Sequence, residues 1–264
     1  MMPGSERKTA ECPGGRISYR EAGAGSPLLL MHGVGGNSRS FRCQLEGLAD
    51  RFRVIAWDAP GYGDSALRVP TLDSYSGAVL ELLDHLKIQL SHVLGHSMGG
   101  VVAQGVAGLA PDRLECLILS STFTGYAQPK GSDLSQSWKA RLTDIRALSA
   151  AEFGRARAKS MLADNAGEAV RTEAASIASE VEHDGLKAAS ELLHLVDTRG
   201  IAGKIAIPTL VITGGQDRII PPARSSEMAD LIPNSQSVEI VEVGHAAYLE
   251  DPATYNATLN NFLS

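Results

Sequence analysis

The stretch Gly95-His96-Ser97-Met98-Gly99 follows a short apolar run and precedes a segment of helical character. That places Ser97 where a strand turns sharply into a helix, the G-x-S-x-G arrangement in which a serine is held in a strained, exposed turn with its hydroxyl presented outward. The flanking glycines remove Cβ atoms where the two backbones crowd.

A serine in such a turn needs a base to take its proton, an acid to orient the base, and donors where an oxyanion forms. Downstream, Asp217 follows the apolar run 210–213 in Gly214-Gly215-Gln216-Asp217, and His245 follows the run 238–243 in Val243-Gly244-His245-Ala246. The order serine, acid, histidine is the one this type of turn requires. The predicted catalytic residues are therefore Ser97, Asp217 and His245. The oxyanion donors are expected to be backbone N–H groups, one from Met98 and one from the loop His32-Gly33-Val34-Gly35-Gly36, with Val34 the first choice. Donors of this kind contribute ~3 kcal/mol each to the transition state, and the helix starting near Met98 adds its dipole.

The other histidines have plainer readings. His96 adjoins Ser97 across a sharp turn and is expected to support the turn. His32 is expected to bond backbone. His85, His92, His183 and His194 show no metal-ligand spacing, although His183 and His194 lie in a segment able to touch substrate. Gly33, Gly35 and Gly36 lack a following Lys-Ser/Thr and the G-x-G-x-x-G register, so a nucleotide site is not expected. No metal or cofactor is called for.

Around these residues, β-like and helix-like runs alternate between 15 and 121, the pattern of a largely parallel sheet covered by helices. Strands are predicted at Arg16 to Glu21, Leu28 to Met31, Val54 to Trp57, His92 to Gly95 and Leu114 to Leu119. A helix is predicted over Leu72 to Leu86, with Val79, Leu82, Leu83 and Leu86 on one face. From about Phe123 to Arg199 the strand signal vanishes in favour of Ala, Glu, Arg, Lys and Ser, which predicts three or four helices. The sheet resumes at Leu210 to Thr213 and Val238 to Val243, and a last helix runs from Pro252 to Phe262. The expected organisation is an α/β core over 1–122 and 200–264 with a helical cap over 123–199. Trp138, Phe153 and Met161 are candidates to line a substrate pocket, or equally to pack the cap on the core.

The 264 residues carry 24 basic and 30 acidic side chains, a net charge of −6 with no long run of one sign. That argues against nucleic acid or an anionic membrane as partner. Residues 1–15 are polar and lack a signal-peptide core, and no stretch reaches membrane-spanning length, so a cytoplasmic protein is expected. Cys12, Cys43 and Cys116 have no C-x-x-C spacing and read as free thiols.

With these residues in view, the chain resembles the α/β-hydrolase superfamily from the His32-Gly33 loop to the His245 loop. The stretch Asp58-Ala59-Pro60-Gly61-Tyr62-Gly63-Asp64-Ser65 is similar to the superfamily's D-x-P-G-x-G-x-S turn. The resemblance implies a structural role for that turn and leaves Asp58 and Asp64 outside the triad. The compact cap and Gly185-Leu186-Lys187-Ala188-Ala189, ahead of Asp197 and the Pro208 strand, are most similar to 3-oxoadipate enol-lactonases and small carboxylesterases. The resemblance thus implies a cofactor-independent serine hydrolase acting on a small ester or lactone. A serine nucleophile sets the chain apart from epoxide hydrolases and haloalkane dehalogenases. Carbon–carbon hydrolases of meta-cleavage products, which usually carry Asn before the nucleophile and an arginine in the lid, are the alternative; here His96 holds the first position, and Arg141, Arg146, Arg155, Arg157 and Arg171 are the lid arginines. A slow-turnover ligand sensor, or perhydrolase or cofactor-free oxygenase chemistry on the same triad, are further readings.

Overall fold

A computed structural model describes residues 6–264. Residues 1–5, which fall within the stretch read for a leader and within the predicted core span 1–122, lie outside the described residues. The elements run β1 (Lys8–Ala10), β2 (Ile17–Ala22), β3 (Ser26–Met31), α1 (Arg42–Gly47), β4 (Phe52–Trp57), α2 (Leu72–His85), β5 (Ser91–His96), α3 (Met98–Leu109) and β6 (Leu114–Ser120). Four helices follow, α4 (Gln136–Ala147), α5 (Ala150–Met161), α6 (Glu168–Ala178) and α7 (His183–Leu195). The chain then completes α8 (Arg199–Ala202), β7 (Thr209–Gly214), α9 (Pro222–Leu231), β8 (Gln236–Ile240), α10 (Ala247–Glu250) and α11 (Pro252–Phe262).

The strands form one eight-stranded sheet in the order β1-β2-β4-β3-β5-β6-β7-β8. The β1–β2 and β2–β4 pairs are antiparallel, and all pairs from β4 to β8 are parallel. Helices cover both faces of the sheet, which is why its central strands read as largely apolar runs: Leu28 to Met31 are fully buried, and every residue of β5 and β7 is buried. Two hydrophobic clusters result, one on each face.

The sequence-level elements correspond closely to these, with two corrections. β1 was not expected; it is a three-residue edge strand, Lys8-Thr9-Ala10, too short and too polar to carry an alternating pattern. The last strand, predicted over Val238 to Val243, is Gln236–Ile240, and residues 241–243 leave the sheet to turn toward His245. Val241 and Val243, alternating with Glu242, mimic a strand while the Val243 carbonyl accepts the Gln216 N–H at 2.9 Å.

Local chemistry sets the helix ends. Ser135 and Ser149 cap α4 and α5, the latter in a full capping box with Glu152, and Asp251 caps α11 with Pro252 in its first turn. The α4–α7 segment docks on the core partly through Glu180, beyond α6. This residue accepts from the Asn37 side chain at 2.9 Å and pairs with Arg39. Among the described residues no helix is long and apolar enough to cross a membrane.

Candidate active site

Ser97 joins β5 to α3 with φ 54° and ψ −116°, a conformation side-chain-bearing residues rarely adopt. The turn is held on both sides: the Ser97 N–H donates to the Ser120 carbonyl at 2.9 Å, and the Thr122 hydroxyl donates to the Ser97 carbonyl at 2.6 Å. Its tightness demands the glycines. A Cβ on Gly95 would lie 2.3 Å from the Gly99 carbonyl oxygen, and one on Gly99 would lie 2.2 Å from that of Met31.

Asp217 and His245 reach the site from the ends of β7 and β8. His245 Nδ1 and Asp217 Oδ2 are 2.7 Å apart, and both side chains are buried. The other carboxylate oxygen accepts the Ile219 and Ile220 N–H groups at 2.8 and 2.9 Å, which fixes its orientation. The Ser97 hydroxyl and the His245 imidazole are not hydrogen-bonded to each other in this structure, a looseness common in serine sites before substrate binds.

The loop after β3 lies directly against Ser97, since a Cβ on Gly33 would stand 2.8 Å from the serine Cβ. Among the described residues, neither the Val34 nor the Met98 N–H donates to a protein acceptor. His32 shapes this loop: its Nε2 accepts the Ala59 N–H at 3.0 Å, so Nδ1 carries the proton and donates to the Gly33 carbonyl at 2.8 Å. Burial holds its pKa below the ordinary histidine value. Asp58 lies in the supporting turn, accepting from the Ser18 hydroxyl and the Ser38 N–H, both at 2.6 Å.

His96 is buried with its ring centroid 4.6 Å from that of His245 and 4.9 Å from that of Tyr248. Burial, and then the adjacent His245 and His32, hold it well below the usual histidine range, so it stays neutral against the base.

Glu250 was not singled out from the sequence. One of its carboxylate oxygens accepts the Gly244 and Ala246 N–H groups at 3.0 and 3.2 Å, bracketing His245, and the other accepts the Ala163 N–H just beyond α5 at 2.8 Å. Burial raises its pKa against the opposing pull of those three N–H groups. The only sequence signal is an acid five positions after the histidine.

The three candidate pocket residues are not brought together. Trp138 and Phe153 are buried in the cluster on one face of the sheet, whereas Met161 packs with the cluster on the other. Trp138, with Tyr126 and His194, lines a cavity of about 320 Å³. His194 bonds Ser132 at 2.9 Å and His183 bonds Asp184 at 3.0 Å. No group of three or more His, Cys, Asp or Glu among the described residues is arranged to hold a metal ion.

A sequence model of the alpha/beta hydrolase fold matches residues 26–252. The chain is similar to the dihydrolipoyllysine-residue acetyltransferase component of the acetoin cleaving system of Pseudomonas putida, with 32% identity over 275 residues that cover 98% of this chain and 70% of that protein. It is 27% identical over 238 residues to 3-oxoadipate enol-lactonase 2 of Acinetobacter baylyi, covering 87% of this chain and 85% of that one. Among solved structures, the enol-lactonase of Burkholderia xenovorans LB400 superposes with a TM-score of 0.86 at 26% identity, covering 97% of this chain and 99% of the other.

Proposed function

The chain belongs to the alpha/beta hydrolase family, and from that membership we propose that it is a serine hydrolase cleaving a small carboxylic ester or lactone through an acyl-enzyme. The observation that carries the reading is the buried His245–Asp217 pair at 2.7 Å, with the His245 ring 4.6 Å from that of His96, the neighbour of a serine held at φ 54°. Two of the similar proteins are enol-lactonases by name.

In this reading the Ser97 hydroxyl attacks the carbonyl carbon while His245 Nε2 takes its proton. Asp217 holds Nδ1–H and stabilises the imidazolium. The oxyanion is received by the Val34 and Met98 N–H groups, which donate to no acceptor among the described residues. His245 then gives the proton to the leaving alkoxide and later activates the water that releases the acyl group. In a lactone the leaving alcohol remains tethered to the acyl chain. The α4–α7 insertion serves as a cap that excludes bulk water and shapes the pocket.

Treatment with a fluorophosphonate tests the nucleophile. The expected result is a single phosphonyl adduct on Ser97, absent from Ser97→Ala and abolished by prior denaturation. Labelling elsewhere, or none, would contradict the assignment.

A further inference from the structure

Two cations of the α4–α7 insertion are withdrawn from water without an acidic partner. Arg157 of α5 is only 9% exposed, and among the described residues its guanidinium makes a single hydrogen bond, Nη1 to Ser160 Oγ at 3.0 Å. Arg141 of α4 is partly buried and stacks over the Trp138 ring at 4.5 Å from its centroid. Neither forms an ion pair with any described carboxylate, although Arg68, Arg113, Arg199 and Arg218 all do. Asp144 gives Arg141 only a Coulombic attraction without contact.

The cost of this arrangement is visible in the protonation equilibria. Burial, and next the Arg141 charge, pull the Arg157 pKa down to about 9, and burial lowers that of Arg141 as well. Tyr62 stands near both charges but supplies no countercharge, because burial raises its pKa and keeps it neutral. A buried cation that is neither paired nor fully hydrogen-bonded is expensive, and two that repel each other are more so. Chains retain such groups where a ligand supplies the missing partner.

The location ties them to the serine site. Arg157 lies one helical turn before Met161 and on the same face of α5. The Met161 carbonyl accepts the His245 N–H at 2.8 Å. On the opposite side, both guanidinium charges act on Tyr62, which faces the Gly35 backbone and sets its ring 4.9 Å from that of His32. The pair is thus bounded by the base loop and by the glycine loop that meets Ser97.

We propose that Arg141 and Arg157 bind a carboxylate carried by the substrate at a distance from the bond that is cleaved, so that the substrate is an acidic ester or lactone such as a half-ester of a short dicarboxylic acid. A planar guanidinium fork matches a carboxylate with two parallel hydrogen bonds, and the negative charge of the bound carboxylate offsets the repulsion that the two cations otherwise suffer. The proposal rests on the serine hydrolase reading of the same site.

The test is calorimetric titration of Ser97→Ala with the monomethyl esters of succinate, glutarate and adipate and with the corresponding neutral dimethyl esters, so that no turnover is needed. At least one monoester is expected to bind about tenfold or more tightly than its diester. Adding Arg157→Gln, or separately Arg141→Gln on the more exposed helix, is expected to erase that preference while changing diester affinity by less than about threefold. Equal affinity within all three pairs, no binding by any monoester, or a preference that survives both substitutions would overturn the proposal. Ser97-dependent hydrolysis of the neutral diesters without a monoester preference removes the carboxylate site and leaves the hydrolase reading intact. Carboxylate-dependent binding by a protein with no Ser97-dependent turnover removes the hydrolase reading alone.

Discussion

The backbone N–H of His245 donates to the carbonyl of Met161 at 2.8 Å, so the proposed base is bonded to the end of a helix in the insertion 84 positions earlier in the chain. Glu250 reinforces the contact by holding Ala163 with one oxygen and the two residues flanking His245 with the other. Gly244 permits the approach, since a Cβ there would meet the Ala163 nitrogen at 2.7 Å. The position of the base and the seating of the insertion are therefore one mechanical unit.

Glu250 is accordingly a positioning residue. Glu250→Ala frees the His245 loop and is expected to lower kcat by about 10²-fold with little change in KM, the effect of a misplacement on the order of 1 Å. Glu250→Gln keeps a carbonyl oxygen for Gly244 and Ala246 while turning an amide against the Ala163 N–H, so its kcat should lie between wild type and Glu250→Ala. Steady-state kinetics with urea unfolding in parallel separate the loss of position from the loss of fold.

Buried neutral histidines make stability dependent on pH. Burial depresses the pKa values of both His32 and His96. In the unfolded chain each imidazole takes up a proton as pH falls below about 6.5, whereas the native state refuses it until lower pH. The unfolded state binds more protons across that window, so stability is full above it and falls as pH drops through it. The slope from the two groups reaches up to about 2.7 kcal/mol per pH unit. Urea unfolding at pH 7.5, 6.5 and 5.5 measures it, and His96→Gln should remove up to half of the slope whatever its effect on absolute stability.

The two glycine-dependent turns at the site should respond differently to alanine. In Gly99→Ala the new methyl meets the Met31 carbonyl, which is fixed in the sheet, and the expected cost is about 3 kcal/mol or more. Gly35 has φ +82° with no atom within 4 Å of a Cβ, so Gly35→Ala suffers only backbone strain of about 1–2 kcal/mol. It should fold yet lose activity through displacement of the Val34 N–H. Equal stability losses in the two variants would contradict this account of the turns.

Much of this architecture is legible in the sequence because the parallel strands are buried on both faces. Runs such as Leu28 to Met31 and Leu210 to Thr213 announce themselves as continuous apolar segments. Ser97 is legible for a different reason: the turn allows no side chain at 95 or 99, so its geometry is written in glycine. Asp217 and His245 follow as polar residues three and five positions beyond the ends of β7 and β8. What escapes the sequence depends on contacts between distant segments. Glu250 is an ordinary helical acid until it meets Ala163. Arg141 and Arg157 look like the solvated charges of any polar helix, indistinguishable from Arg146 and Arg155, until the fold turns them toward Tyr62.

Ser97 is proposed above as the nucleophile of an ester or lactone hydrolase. The most direct measurement is steady-state hydrolysis by wild type and Ser97→Ala of a panel of short p-nitrophenyl esters, simple lactones, an enol-lactone and a vinylogous diketone acid. Wild type is expected to turn over an ester or lactone robustly, and substitution to lower kcat by about 10⁴-fold or more. Turnover that survives Ser97→Ala, or a rate confined to the diketone acid, would contradict that assignment.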